Sequence, residues 1–171
     1  ELEGSFVIEL EPIQDDRGYF ARTYCAQEFE AQKITESFVQ ANTAFSHRKG
    51  TLRGMHYQRA PYAEAKLVRC IHGAAFDVII DLRPESASYC KWFGVELTFQ
   101  NNRLLYIPKG FAHGYQTLTD RTELFYMVSA FYTPQAELGI RWNDPRFGIE
   151  WPIVDDVNIS EKDRAWPNFK S

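Results

Sequence analysis

Much of this 171-residue chain is written in short runs of alternating side chains, cut at close intervals by turn-forming residues. Alternation with a period of two belongs to strands, whose successive side chains leave on opposite faces. Ten runs read this way: Phe6–Leu10, Tyr19–Tyr24, Phe38–Phe45, Thr51–Gln58, Lys66–His72, Ala75–Leu82, Trp92–Phe99, Arg103–Ile107, Gly114–Leu118 and Leu124–Tyr132. Between them, Gln100-Asn101-Asn102, Pro108-Lys109-Gly110 and Thr119-Asp120-Arg121 supply turns. A helix is predicted only over Ala26–Ile34, where Phe29 and Ile34 share a face. So many short strands in one chain close best into a sandwich or barrel. The expectation is an all-β jelly roll with a few short helices, a single domain over residues 1–171. Its tail from Asn143 onward, rich in Asp, Pro and Trp, is expected to wrap the outside and close one mouth.

Parity along the strands says what each face meets. In Leu124–Tyr132, Leu124, Tyr126, Val128, Ala130 and Tyr132 fall together; in Ala75–Leu82, Asp77, Ile79 and Asp81 stand opposite Phe76, Val78 and Ile80. Apolar residues on both faces predict strands covered on both sides. The two aspartates must then be paired or stand in a wet cavity, because an isolated buried charge is too costly. An aromatic content of 15% suits such strands and also suits stacking on a flat ligand.

Nineteen Lys+Arg against 23 Asp+Glu leave a net charge of −4, which argues against nucleic-acid or anionic-membrane partners. No apolar run approaches the ~18 residues of a membrane span, and no basic, apolar leader opens the chain. Cys25, Cys70 and Cys90 are odd in number and lack CxxC spacing, so a reducing cytoplasm is expected rather than a disulfide framework. The histidines are His47, His56, His72 and His113, with no HxH pair, and no metal is expected.

The densest candidate segment is Thr51–Gln58. Arg53, His56, Tyr57 and Gln58 are too many hydrogen-bonding groups for one short strand unless it faces a ligand cavity. Strict alternation puts Arg53 and His56 on opposite faces, so they serve one site only if Gly54 marks a bulge. Asp16-Arg17-Gly18 reads as a turn delivering an arginine, and Pro108–Gly114 as a tight loop carrying His113. Taken alone, Asp163 reads as a surface charge on the tail and Tyr126 as a packed core tyrosine.

Together these segments resemble the nucleotide-sugar 3,5-epimerase family typified by dTDP-4-dehydrorhamnose 3,5-epimerase. The matching stretches are DDRGYF at 15–20, FVQAN at 38–42, TLRGMHYQ at 51–58, AKLVRCIHGAAFDVIIDLR at 65–83, YIPKGFAHGY at 106–115, LFYMVSAFYTP at 124–134 and ELGIRWNDPRFGIEWP at 137–152. The resemblance implies a metal-free cupin-type jelly roll, dimeric through exchanged or shared strands, that epimerises a nucleotide-linked 4-keto-6-deoxyhexose without a cofactor. It makes His56 the base, Asp163 the carboxylate that orients it, Tyr126 the opposing acid, and Lys66 the cation at the C4 oxygen, with His113 lining the same pocket. Arg17 and Arg53 match arginines that grip the diphosphate, and Tyr132 matches the aromatic that stacks on the base. Gln40 and Asn42 correspond to polar contacts to the nucleotide, and Glu137 and Lys162 to two further substrate-contacting positions.

Three positions depart from the family pattern: Arg22 where Glu is common, Met127 where Lys is common, and Phe131 where Tyr is common. Arg22 leaves thymidine as the default base with cytidine as the alternative, unless it pairs with a nearby carboxylate. Whether C3, C5 or both are inverted is left open. The competing classes are a metal-dependent cupin enzyme and a non-catalytic sugar-nucleotide binding module.

Overall fold

A computed structural model describes residues 2–170. The chain forms β1 (Phe6–Glu9), a hairpin of β2 (Ile13–Asp15) and β3 (Gly18–Phe20), and then the helix α1 (Ala26–Ala31). The strands β4 (Gln40–Ser46), β5 (Thr51–Gln58), β6 (Lys66–His72), β7 (Ala74–Asp81) and β8 (Trp92–Thr98) follow. After β9 (Arg103–Ile107), β10 (Phe111–Thr117) and β11 (Thr122–Val128) come a 3₁₀ turn, β12 (Glu137–Gly139), β13 (Asn158–Ile159) and the single-turn helix α2 (Glu161–Arg164). One sheet runs β1-β9-β6-β11-β4 and the other β12-β5-β10-β7-β8, with β13 added beside β5. This is the all-β jelly-roll sandwich expected from the strand pattern.

Three apolar clusters explain why the strands are apolar on both faces. Val68, Ile79, Leu97, Leu105, Phe111 and Leu124 fill the space between the sheets. Phe29 and Ile34 cover the outer face of the five-stranded sheet over Leu67 and Leu104. Phe147 and Trp151, from the tail, cover the outer face of the other sheet over Leu52, Met55, Val78 and Ile80. Each large side chain buried this way contributes about 1.5–3 kcal/mol, so packing fixes the tail and lets it deliver α2 to the site.

Several boundaries differ from the sequence reading, each for a local reason. The helix stops at Ala31 because Lys33 turns the chain at a φ of 64°, although Ile34 still reaches the cluster around Phe29. The run Tyr19–Tyr24 is strand only as far as Phe20, where its pairing with Ile13 ends. β10 begins at Phe111 instead of Gly114: Gly110, at φ 83°, closes the turn, and Phe111 pairs directly with Asp81. His113 therefore sits within a strand and not in a loop. β11 ends at Val128, short of Tyr132, because the backbone N–H groups of Tyr132 and Thr133 are taken by Gln40 Oε1 and Gln58 Oε1.

Candidate active site

The site starts from a bulge in β5. Across the ladder His113 faces His56 and Tyr115 faces Arg53, so three steps along β5 match two along β10. Gly54 carries the extra residue at a φ of 132°, and a Cβ there would stand 2.5 Å from Gly114 Cα. Only glycine meets both demands. The bulge breaks the strict alternation between Arg53 and His56, as the sequence required of Gly54.

His56 lines a cleft of about 420 Å³ between the two sheets. Its Nε2 lies 2.6 Å from Asp163 Oδ1, and the second carboxylate oxygen accepts the Gly54 N–H at 3.3 Å. Asp163 reaches this position because Ser160 caps α2, accepting the Asp163 N–H at 3.1 Å. Its side chain is 8% exposed, so the expected surface charge on the tail is in fact buried behind the imidazole. Burial alone raises such a carboxyl, but the hydrogen bond and charge of His56, then the Gly54 N–H, outweigh it and hold Asp163 below its ordinary range. An ionised carboxylate at Nε2 accepts its proton and leaves Nδ1 with the free lone pair.

Tyr126 lines the same cleft from β11, in the opposite sheet. Burial, then the negative charge of Glu64, pushes its phenol above the ordinary value, with the Arg53 cation opposing. Lys66, at the start of β6, is buried with its Nζ 3.2 Å from Glu64 Oε1. Glu64 and Gln58 line the cleft as well, joined by a Gln58 Nε2 donation to Glu64 Oε2 at 3.2 Å. Glu64 was not singled out from the sequence, although its spacing of two from Lys66 puts both on one side of an extended segment.

At the mouth, Glu137 Oε2 accepts the Tyr132 hydroxyl at 2.8 Å, and both Glu137 oxygens accept Lys162 Nζ at 2.7 Å. Gln40 and Asn42, on β4, line the cleft too, Asn42 directly across the ladder from Tyr126. Of the sequence candidates, His56, Asp163, Tyr126, Lys66, Gln40, Asn42, Tyr132, Glu137 and Lys162 thus converge on one place.

Three candidates stand elsewhere. His113 does not line the cleft; it is withdrawn into the interior, its Nε2 2.9 Å from Asp77 Oδ1, because the fully buried Asp77 needs a partner. Arg53 reaches back to the Phe45 carbonyl at 3.1 Å and borders the site only through its charge on Tyr126 and Tyr115. Arg17 is outside the cleft. It pairs with Asp15 at the tip of the β2–β3 hairpin with its side chain 90% exposed, and Tyr19 ties that hairpin to Asn102. Asn102 precedes β9, whose other end, Ile107, is the one that pairs with Lys66. Arg22 is near Glu28, at 3.7 Å between two exposed side chains. Asp81, the other interior aspartate, is satisfied by Arg83, Ser86 and Ser88.

Among the described residues no group of three or more His, Cys, Asp or Glu side chains converges as a metal site, and no helix is long and apolar enough to cross a membrane. The cleft thus holds a histidine with an ionised carboxylate on one wall, and a protonated tyrosine and a lysine on the other. Comparison with known proteins points the same way. The sequence model of a family described as dTDP-4-dehydrorhamnose 3,5-epimerase matches residues 1–171. The enzyme of that name from Escherichia coli strain K12 is 45% identical over 164 residues, 95% of this chain and 88% of its own. That from Methanothermobacter thermautotrophicus is 46% identical over 167 residues, covering 96% and 89%. The crystal structure of the Bacillus anthracis enzyme, with TDP and PPi bound, matches with a TM-score of 0.94 at 39% identity, over 97% of this chain and 94% of that one. The chain belongs to the dTDP-4-dehydrorhamnose 3,5-epimerase family.

Proposed function

We propose that the chain epimerises a dTDP-linked 4-keto-6-deoxyhexose at C3 and C5 through an enolate, with His56 and Tyr126 as base and acid. The observation that carries this is a base and an acid contributed by opposite sheets to one cleft. The 4-keto group acidifies the C–H bonds on either side of it. His56 Nδ1 takes the proton from one face, and the electron pair moves into the carbonyl. Asp163, held ionised, stabilises the imidazolium that results. Negative charge collects on the C4 oxygen, where the Lys66 ammonium opposes it. Tyr126 returns a proton from the opposite face, the carbonyl reforms, and the centre is inverted. Exchange with solvent then restores neutral His56 and protonated Tyr126. The substrate's own ketone is the electron sink.

Thymidine is the base we assign: the relatives are dTDP enzymes, and the proximity of Arg22 to Glu28 supports a local pairing for that residue. A cytoplasmic setting fits Cys25, Cys70 and Cys90, all of which are free. A homodimer completes the diphosphate site. The β2–β3 hairpin exposes Ile13, Tyr19 and Phe20 at 72%, 48% and 63%, an apolar arm that is largely open to solvent. Docked on a second copy, it would bring the partner subunit's Arg17 to the cleft. Mixing inactive Arg17→Ala and His56→Ala proteins then restores activity, since each mixed dimer keeps one intact site; mixtures that stay inactive refute the shared site. Turnover of dTDP- and CDP-linked 4-keto-6-deoxyglucose in deuterated water, followed by NMR, tests the reaction itself. Deuterium at both C3 and C5 of the thymidine substrate is expected, and no incorporation refutes the assignment.

A further inference from the structure

We infer that Glu64 is a positioning residue for this epimerisation: from the connection between β5 and β6 it clamps the Lys66 ammonium and the Gln58 amide inside the cleft, holding the cation where charge develops on the ketone oxygen. The inference rests on the functional reading above and extends it to a residue that reading does not use.

Glu64 and Lys66 are 12% and 11% exposed at the side chain, and their charged atoms are 3.2 Å apart. A carboxylate is an unexpected lining for a cleft that must admit a diphosphate sugar and then an enolate, because like charges repel across a low-dielectric site. A buried ion pair is also weak ground for stability, since apolar residues of similar volume often serve as well. What the pair does supply is direction. A lysine is a point charge on a flexible four-carbon stem and does not hold one position by itself. Glu64 restrains it with Oε1 while Oε2 accepts from Gln58 Nε2. The two Gln58 amide hydrogens are shared among Glu64 Oε2 and the Tyr62 and Phe131 carbonyls, and Gln58 Oε1 accepts the Thr133 N–H, which ties the segment before β6 to the one after β11. The clamp therefore joins both walls of the cleft.

The same charge acts on Tyr126. Tyr126 pairs across the ladder with Asn42 on β4 and Val68 on β6, shares the cleft with His56, Glu64 and Lys66, and feels the charges of Glu64 and Arg53 and the neighbouring Tyr115 on β10. Glu64 raises the phenol and Arg53 lowers it. Removing the Glu64 charge thus favours tyrosinate, which has no proton to deliver.

Three variants separate charge from reach. Glu64→Gln keeps the shape and removes the charge; Glu64→Ala removes both; Glu64→Asp keeps the charge on a shorter arm. With dTDP-4-keto-6-deoxyglucose, Glu64→Gln is expected to lower kcat about five- to twentyfold without raising KM, and to move the alkaline limb of the kcat profile to lower pH. Glu64→Ala loses more, and Glu64→Asp restores the limb but not kcat. Unfolding in urea normalises each value to folded enzyme. If kcat or the alkaline limb of Glu64→Gln stays at the wild-type value, or if the whole effect is loss of folded protein, the inference is overturned. Wild-type enzyme that incorporates no deuterium fails the functional reading instead, and the two failures are distinct.

Discussion

Replacing Asp163 by asparagine removes one charge at the back of the imidazole and leaves the shape of the side chain intact. The carboxylate now does two things at once: one oxygen accepts from His56 Nε2 at 2.6 Å and the other from the Gly54 N–H at 3.3 Å. An amide cannot do both. With its oxygen on Gly54 it presents NH₂ to Nε2, which moves the ring proton to Nδ1 and blocks the lone pair that the base needs. With its oxygen on His56 it sets a donor against the Gly54 N–H inside a buried pocket. A hydrogen bond to a charged group is worth about 1.5–3 kcal/mol. At about 1.4 kcal/mol per factor of ten, that alone slows proton abstraction about 10- to 150-fold. The tautomer penalty adds to it, so the expected loss lies near or beyond the upper end of that range. Deuterium wash-in from solvent at saturating substrate measures the step without requiring net inversion, and urea unfolding checks that the protein is intact. Exchange within about threefold of wild type in a folded Asp163→Asn protein would refute the role given to the dyad.

Two further outcomes concern the frame that holds the site. Gly54→Ala places a Cβ 2.5 Å from Gly114 Cα at a φ of 132°, and is expected to cost about 2–5 kcal/mol in urea unfolding; a loss below about 1 kcal/mol would mean that the bulge tolerates a side chain. Asp81 has its carboxyl lowered from 3.8 to about 2, since hydrogen bonds from Arg83, Ser86 and Ser88 outweigh the upward push of burial. The stability it contributes, of order 2 kcal/mol, is present above its unfolded value and lost as pH falls toward 2. Wild-type protein therefore loses more stability over that window than Asp81→Asn; parallel acid profiles would contradict the assignment.

Much of the architecture could be read directly from the chain, because strand parity and turn residues act locally. The run Thr51–Gln58 forms β5 with the predicted bounds, Gly54 is the bulge that parity required, and Asp77 and Asp81 are paired as interior carboxylates must be. What escaped depends on distant partners. β12 and β13 are three and two residues long and exist only because β5 offers an open edge, so no periodicity announces them. The burial of Asp163 is set by the tail packing over Leu52 and Met55, which nothing in Ser160–Arg164 encodes by itself. Strand parity put Tyr132 with Tyr126, and the two do meet in the cleft, but Tyr132 arrives through a turn fastened by Gln40 and Gln58. His113 was misread because a loop histidine and a strand histidine look alike until the turn at Gly110 is placed. Arg17 sits on the turn predicted for it, and local sequence does not say whether that turn meets a cleft.

The proposed chemistry requires His56 and Tyr126 to stand on opposite sides of one sugar ring. Its most direct test compares His56→Ala with Tyr126→Phe in deuterated water by NMR, reading exchange and inversion at C3 and C5 separately. The account predicts that His56→Ala abolishes both, while Tyr126→Phe still exchanges deuterium but returns it to the original face. A Tyr126→Phe enzyme that inverts both centres at the wild-type rate, or a His56→Ala enzyme that still exchanges, would contradict it.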